Sequence, residues 1–193
     1  MRYLKKIVPP VRQLLCLLCL TFAVPAPAAD LEAAFSPYGK SLELILSTIK
    51  SARESIHVAT YSFTSKPVAE ALLAVHKRGL DVRVVADKRG NSDKYTAVTF
   101  LANQGVPVRL NGKYAIHHHK FMVVDGKHIQ TGSFNYSAAA VEKNAENVLV
   151  IWNMPELAAQ FEHEWNRLWK EGDPAGAFGI GGGSHGYVEK SLC

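Results

Sequence analysis

Cysteine is scarce in this sequence, and its placement removes what little there is. Of three cysteines in 193 residues, Cys16 and Cys19 lie in an apolar N-terminal run. Once that run is cleaved, Cys193 is left alone and no intrachain disulfide can form. Long apolar stretches are also missing. The longest, Leu14 to Val24, is shorter than the roughly 20 residues of a bilayer span. Arg2, Lys5, Lys6 and Arg12 precede it, and Ala26-Pro27-Ala28 follows with small residues at cleavage-site offsets. This pattern predicts a secretory signal peptide over 1–29, cut after Ala28 or Ala29, and not a permanent anchor. The residues before Cys16 and Cys19 do not resemble a lipoprotein site, and Cys193 does not complete a prenylation box.

A strong charge excess is absent too. The whole chain carries 22 Lys+Arg against 17 Asp+Glu. Four of the basic residues and none of the acids fall in the first 29, leaving 18 against 17. The pI of about 9.1 therefore owes much to the leader and does not by itself indicate nucleic-acid binding. The distribution says more. Residues 77–127 hold ten Lys or Arg and four Asp, whereas 128–193 hold four Lys or Arg and eight acids. A basic middle region suits a polyanionic substrate, although solvated surface faces would give the same count.

What is present reads as one α/β domain over 30–171. Leu42, Ile45, Leu46 and Ile49 share a helical face, and Ile56 to Phe63 reads as a buried strand. Pro67 opens a helix lined by Val68, Leu72 and Val75 and ended near Gly79. Val82 to Ala86 is a strand, Ser92 caps a helix carrying Tyr95, Val98 and Leu101, and Val106 to Leu110 is the next strand. Ala115 to Val124 and His128 to Thr131 flank Asp125-Gly126 as a hairpin. Asn147 to Trp152 is a further strand, and Pro155 starts a helix with Leu157, Phe161, Trp165, Leu168 and Trp169 inward. The alternation predicts a mixed, largely parallel sheet flanked by helices on both faces. From Gly172 to Cys193 the composition shifts to a Gly-rich flexible tail.

One stretch carries chemistry. His118, Lys120, Asp125, Gly132, Ser133 and Asn135 spell H-x-K-x4-D-x6-G-S-x-N. An imidazole can attack phosphorus or shuttle a proton, and an ammonium, a hydroxyl and an amide can satisfy phosphate oxygens. Strand alternation puts His118 and Lys120 on one side, and the hairpin brings Ser133 and Asn135 alongside. The same alternation turns His117 and His119 away, so the three histidines cannot ligate one metal ion from a regular strand. Asp125 falls on the other face at the turn, where a structural salt bridge or hydrogen bond is the better reading than a base for His118.

The motif resembles the HKD signature of the phospholipase D superfamily, in particular its single-motif bacterial endonuclease branch. The likeness extends to Tyr61-Ser62-Phe63-Thr64-Ser65 and to Asn144-Ala145-Glu146-Asn147. It implies a phospholipase D-like module, chemistry without a metal or other cofactor, a structural Asp125, and a carboxylate at Glu146 paired with a catalytic imidazole. An exposed loop acid is the alternative for Glu146. In such a displacement His118 is the nucleophile, and a second imidazole must protonate the leaving oxygen. His57, His76, His128, His163 and His185 all lack the lysine two places on. A homodimer with a composite site, in which His118 of the partner subunit is the general acid, is the simplest solution.

These readings predict a secreted or periplasmic endonuclease acting on DNA, with RNA as an alternative substrate and no stable membrane anchor after cleavage. A phospholipase D-type lipid phosphodiesterase and a non-cleaving nucleic-acid-binding module are the competing readings. N-terminal sequencing of the exported protein is expected to begin at Ala29 or Asp30. An exported chain that retains its first 28 residues would instead show a membrane anchor.

Overall fold

The centre of the sheet is built where β-branched residues are densest. β2 (Ser55–Thr60) and β3 (Asp81–Asp87) are buried on both faces, which is why they read as nearly continuous apolar runs and not as alternating ones. The computed structural model describes residues 29–91 and 96–176. In chain order the remaining elements are β1 (Asp30–Ser36), α1 (Ser41–Ser51), α2 (Lys66–Lys77), α3 (Ala97–Asn103), β4 (Val108–Asn111), β5 (Lys120–Val124), β6 (His128–Gly132), α4 (Ala138–Glu142), β7 (Glu146–Trp152), α5 (Pro155–Glu171) and β8 (Asp173–Pro174). The expected signal peptide, Ser92, Tyr95 and the tail beyond residue 176 lie outside the described residues.

The strands form one sheet in the order β1-β7-β6-β5-β2-β3-β4-β8. Ile45, Ile49, Val68, Leu72, Val98 and Leu101 from α1, α2 and α3 pack on one face, against Val58, Val84, Met122 and Val150. Ala158, Trp165 and Leu168 of α5 pack on the other, against Ala59, Val85, Phe121, Val123 and Ile129. Burial of each such large side chain contributes roughly 1.5–3 kcal/mol. Trp165 is fully buried and donates its indole N–H to the Val58 carbonyl at 2.9 Å, which seats α5 over the middle of the sheet.

The mixed sheet, the single domain and the helices on both faces match the expectation, but the balance of strand directions does not. Among the described strands only β2-β3 and β3-β4 are parallel neighbours, while β1-β7, β7-β6, β6-β5, β5-β2 and β4-β8 are antiparallel. Parallel neighbours need a helical crossover, and only α2 and α3 provide one between adjacent strands. Several boundaries also move. The predicted strand from Ala115 shrinks to Lys120–Val124, because residues 116–119 run without a ladder partner. Thr96, not Ser92, caps α3 by accepting the Thr99 amide at 3.1 Å. The chain stays in the sheet past Gly172, since β8 pairs with β4. β1 and the short α4 had no strong sequence signal; β1 is an edge strand held by its register with β7.

Asp125 and Gly126 join β5 to β6, both with positive φ (53° and 61°), as a primed hairpin turn requires. The Asp125 carboxylate accepts the amides of Arg53 (3.0 Å), Glu54 (2.8 Å) and Ser55 (3.0 Å). It thereby locks the α1–β2 turn against the hairpin. Asp125→Ala is expected to lower unfolding free energy by about 2 kcal/mol, read from the urea midpoint with an unaltered slope.

Candidate active site

The site assembles where β2, β3 and β4 end and β5 begins. Asp87, the last residue of β3, is 2% exposed and accepts two amides, from Gly90 at 2.7 Å and from His117 at 2.8 Å. Asn91 accepts the Phe63 amide at 3.0 Å and donates to the carbonyls of Asp87 (2.9 Å) and Tyr61. A buried acid and amide thus tie the β2 exit, the β3 exit and the histidine segment into one frame.

On that frame the exposed His118 ring rests against Tyr61, with centroids 4.9 Å apart. Lys120, first residue of β5, is buried. Its ammonium donates to the His118 carbonyl at 2.9 Å and lies 5.4 Å from the Tyr61 ring centre. Burial pushes the Lys120 pKa down, and the Glu146 carboxylate opposes that shift. His118, Lys120 and Tyr61 are therefore one cluster, with Glu146 close enough to be felt electrostatically.

Ser133 and Glu146 form the adjoining part. Gly132 has a φ of +145°, and a Cβ there would stand 2.2 Å from the Asn147 carbonyl oxygen. Only glycine lets the end of β6 come this close to β7. Ser133 Oγ donates to Glu146 Oε2 at 2.6 Å and accepts the Asn147 amide at 3.0 Å, while Asn144 donates to Glu146 Oε1 at 3.0 Å. The two Glu146 oxygens thus face Ser133 and Asn144, and within one chain the structure shows no hydrogen bond from Glu146 to His118. Asn135 sits between the fully buried Phe134 and Tyr136, and its Oδ1 is buried without a hydrogen-bond partner. Tyr136 is anchored in turn: its carbonyl accepts the Thr64 and Ser65 amides and its hydroxyl donates to Gln130. The Tyr61–Ser65 segment is thus a support for both halves of the site. Asp125 lies at the far end of β5 and does not join the cluster.

His117 and His119 turn to the α5 side. Their rings meet edge to face at 5.6 Å, and His119 Nε2 lies 3.1 Å from Glu164 Oε1. Burial, then the charge of His119, lowers the His117 pKa to about 4, against smaller opposing effects of Asp87 and Glu164. Among the described residues no group of three or more His, Cys, Asp or Glu side chains is placed to hold a metal ion. Sequence reasoning had not singled out Tyr61, Asp87, Asn91 or Asn144 as members of this site. Tyr61 and Asn144 stand inside segments flagged by resemblance, whereas Asp87 and Asn91 carry no periodic or motif signal.

Residues 45–169 match the family model described as Cardiolipin synthase, PLD-like domain. The chain is 38% identical over 142 residues to a Danio rerio protein named Mitochondrial cardiolipin hydrolase, covering 72% of this chain and 62% of that one. It thus spans less than two thirds of the length of that curated relative. Among solved structures, Nuc from Salmonella typhimurium, a phospholipase D family member, superposes with a TM-score of 0.75 at 41% identity, covering 77% of this chain and 99% of that one. NucT from Helicobacter pylori gives 0.68 at 26% identity, covering 77% and 100%.

His117 supplies a pH prediction with a definite sign. Its pKa in the folded chain is about 4, below the ordinary 6.5, so folding disfavours its protonation. No penalty exists above pH 6.5, and the penalty grows as pH falls towards 4, reaching about 3 kcal/mol in full. His117→Leu is therefore expected to shrink the stability lost between pH 7 and pH 4.5 in urea titrations. An identical acid loss in the variant would show that His117 titrates normally.

Proposed function

The chain belongs to the phospholipase D superfamily of phosphodiesterases, and from that premise we propose that it is a metal-independent endonuclease working through a phosphohistidine. The observation that carries the reading is the exposed His118 imidazole, seated on Tyr61 with the Lys120 ammonium bonded to its carbonyl and the Glu146 carboxylate, held by Ser133, acting electrostatically on that ammonium. His118 attacks phosphorus as the bond to the leaving oxygen breaks, and His118 of the partner subunit gives that oxygen its proton. Water, deprotonated by the same second imidazole, then cleaves the P–N bond and frees His118. Lys120 and Asn135 stabilise the equatorial oxygens as charge builds on them. Asn135 Oδ1 lacks a partner, and its amide nitrogen is the group that can donate. Ser133 and Asn144 hold Glu146, the orienting carboxylate.

A single copy of the motif makes the second imidazole an intermolecular requirement, and the surface beside the site supports it. Leu31 and Phe35 of β1 are 64% and 63% exposed, and Phe35 is in register with Asn147, which bonds Ser133. An apolar strand face next to an incomplete site is suited to a second copy related by a two-fold axis.

Nucleic acid is favoured over lipid by the lining of the space around His118. His119, Tyr114, Arg167, Gln160 and Glu164 contribute to it beside Ile116, Phe121, Phe161 and Leu168, and the charged and hydrogen-bonding groups among them suit a sugar–phosphate chain more than acyl tails. The endonuclease branch that the motif resembles points the same way, with DNA as the first substrate to try and RNA as the second. The name of the Danio rerio relative is what favours the second reading, hydrolysis of a phospholipid diester. Export follows from the N-terminal segment, and β1 begins at Asp30, directly after the expected cleavage. Among the described residues no helix is long and apolar enough to cross a membrane.

Purified mature protein is expected to nick supercoiled plasmid in excess EDTA. His118→Ala should abolish nicking and Asn135→Ala should slow it about a hundredfold. Release of phosphatidic acid from cardiolipin vesicles, with the plasmid left intact, would replace the nuclease by a phospholipase D-type lipid phosphodiesterase. Inactivity on both, with DNA still retarded on a gel, would leave a binding module.

A further inference from the structure

Two cavities open on either side of His119, and both reach His118. One, of about 460 Å³, includes Lys120, Thr131 and Gly132 in its wall and so belongs with the phosphate-handling groups. The other, of about 300 Å³, is lined by Tyr114, Ile116, His117, His118 and Arg167. Apart from His118, the displacement chemistry gives these residues no task. We propose that this second cavity is a nucleotide subsite, receiving the base of the residue next to the scissile phosphate. The inference rests on the nuclease reading and adds where the substrate's neighbouring unit lies.

The walls have the properties a base requires. Ile116 is apolar yet 53% exposed, on the same rim as Tyr114. The Arg167 guanidinium carbon lies 5.4 Å from the Tyr114 ring centre, and the Lys113 ammonium lies 6.0 Å from it. An aromatic ring on the rim can stack with any base, because every base has a π face, and neighbouring cations add favourable electrostatics to such a contact. The platform is also rigid. Tyr114 donates its hydroxyl proton to Glu171 at 2.7 Å and is hydrogen-bonded by Arg167, so little side-chain entropy is lost when a ligand lands.

His117 forms the back of the cavity and supplies an independent sign of a ligand. It is 2% exposed, and neither ring nitrogen has a hydrogen-bond partner. Buried polar atoms are usually paired, and an unmatched one is costly. With its pKa lowered to about 4, the ring is neutral near pH 7 and offers one donor and one acceptor. Both nitrogens are closed off behind the cavity wall, so a base edge or sugar hydroxyl matches that pair only once the ring turns towards the cavity. A second phosphate does not, since Glu164 and Glu171 stand nearby and already share Arg167. An acyl chain would leave both nitrogens unmatched.

The test compares three small diesters, bis(p-nitrophenyl) phosphate and the 5′- and 3′-(p-nitrophenyl phosphate) esters of thymidine. In Tyr114→Ala the ratio of kcat/KM for a thymidine ester to that for the base-free ester is expected to fall about tenfold. Tyr114→Phe, which keeps the ring, should preserve the ratio, and His117→Leu should lower it. Equal losses on all three esters, or no loss on either thymidine ester, overturn the subsite. The nuclease reading stands or falls separately, on plasmid nicking; should the wild-type protein nick plasmid but hydrolyse none of these esters, binding replaces turnover as the readout. Fluorescence titration of His118→Ala protein with tetrathymidylate, with and without Tyr114→Ala, then decides. A tenfold weaker Kd in the double variant supports the subsite, and an equal Kd or no binding overturns it.

Discussion

The site depends first on the buried carboxylate of Asp87. A charge taken out of water is tolerable only when its lone pairs are filled, and Asp87 fills them with the amides of Gly90 and His117. The second of these bonds fixes the start of the segment that carries His118, although residues 116–119 have no ladder partner of their own. Asn91 extends the same frame to Tyr61 and Phe63, and Tyr61 is the surface on which the His118 ring and the Lys120 ammonium rest. The exposed His118 imidazole, on unladdered backbone, is thus held in place from behind. This is pre-organisation of the kind displacement chemistry needs, because a misplaced imidazole forfeits the gain of proximity.

Strand β5 separates two carboxylates that the motif alone would group together. Asp125, at the hairpin end, receives three consecutive backbone amides and holds α1, β2 and the hairpin together. Glu146, at the opposite end and on the next strand but one, is held by side chains, Ser133 and Asn144, and its charge reaches Lys120. One acid is saturated by backbone and serves the fold. The other is held by side-chain contacts alone, which can rearrange without disturbing the sheet. Gly132 makes this possible, since any Cβ would collide with the Asn147 carbonyl and push β6 from β7.

The contrast between a basic middle region and an acidic C-terminal region acquires a second meaning in the folded chain. Lys113 pairs with Glu171 at 2.7 Å, His119 meets Glu164 at 3.1 Å, and Lys88 lies 3.5 Å from Asp173. A good part of the basic excess near the site is therefore matched by α5 and the segment after it. Exposed pairs of this kind add little stability, but they do orient side chains. Arg167, bonded to Glu164, Glu171 and Tyr114, is held as a fixed wall and not as a free cation.

The sequence by itself determined α1, α2, α3, α5 and the central strands, the hairpin at Asp125-Gly126 and the residues of the motif. Each of these rests on local information: apolar periodicity, turn residues with a required backbone conformation, and fixed short offsets. The tertiary structure alone decided that most strand pairs are antiparallel, that β1 and β8 close the sheet edges, and that Asp87, Asn91 and Tyr61 support the His118 segment. It also decided that the Glu146 oxygens meet Ser133 and Asn144. These outcomes turn on which distant segments lie side by side, and no residue's own neighbours in sequence encode that. His117 shows the difference most clearly. Its spacing marked it as facing away from His118, but only packing against α5 could bury it and hold it neutral beside the cavity.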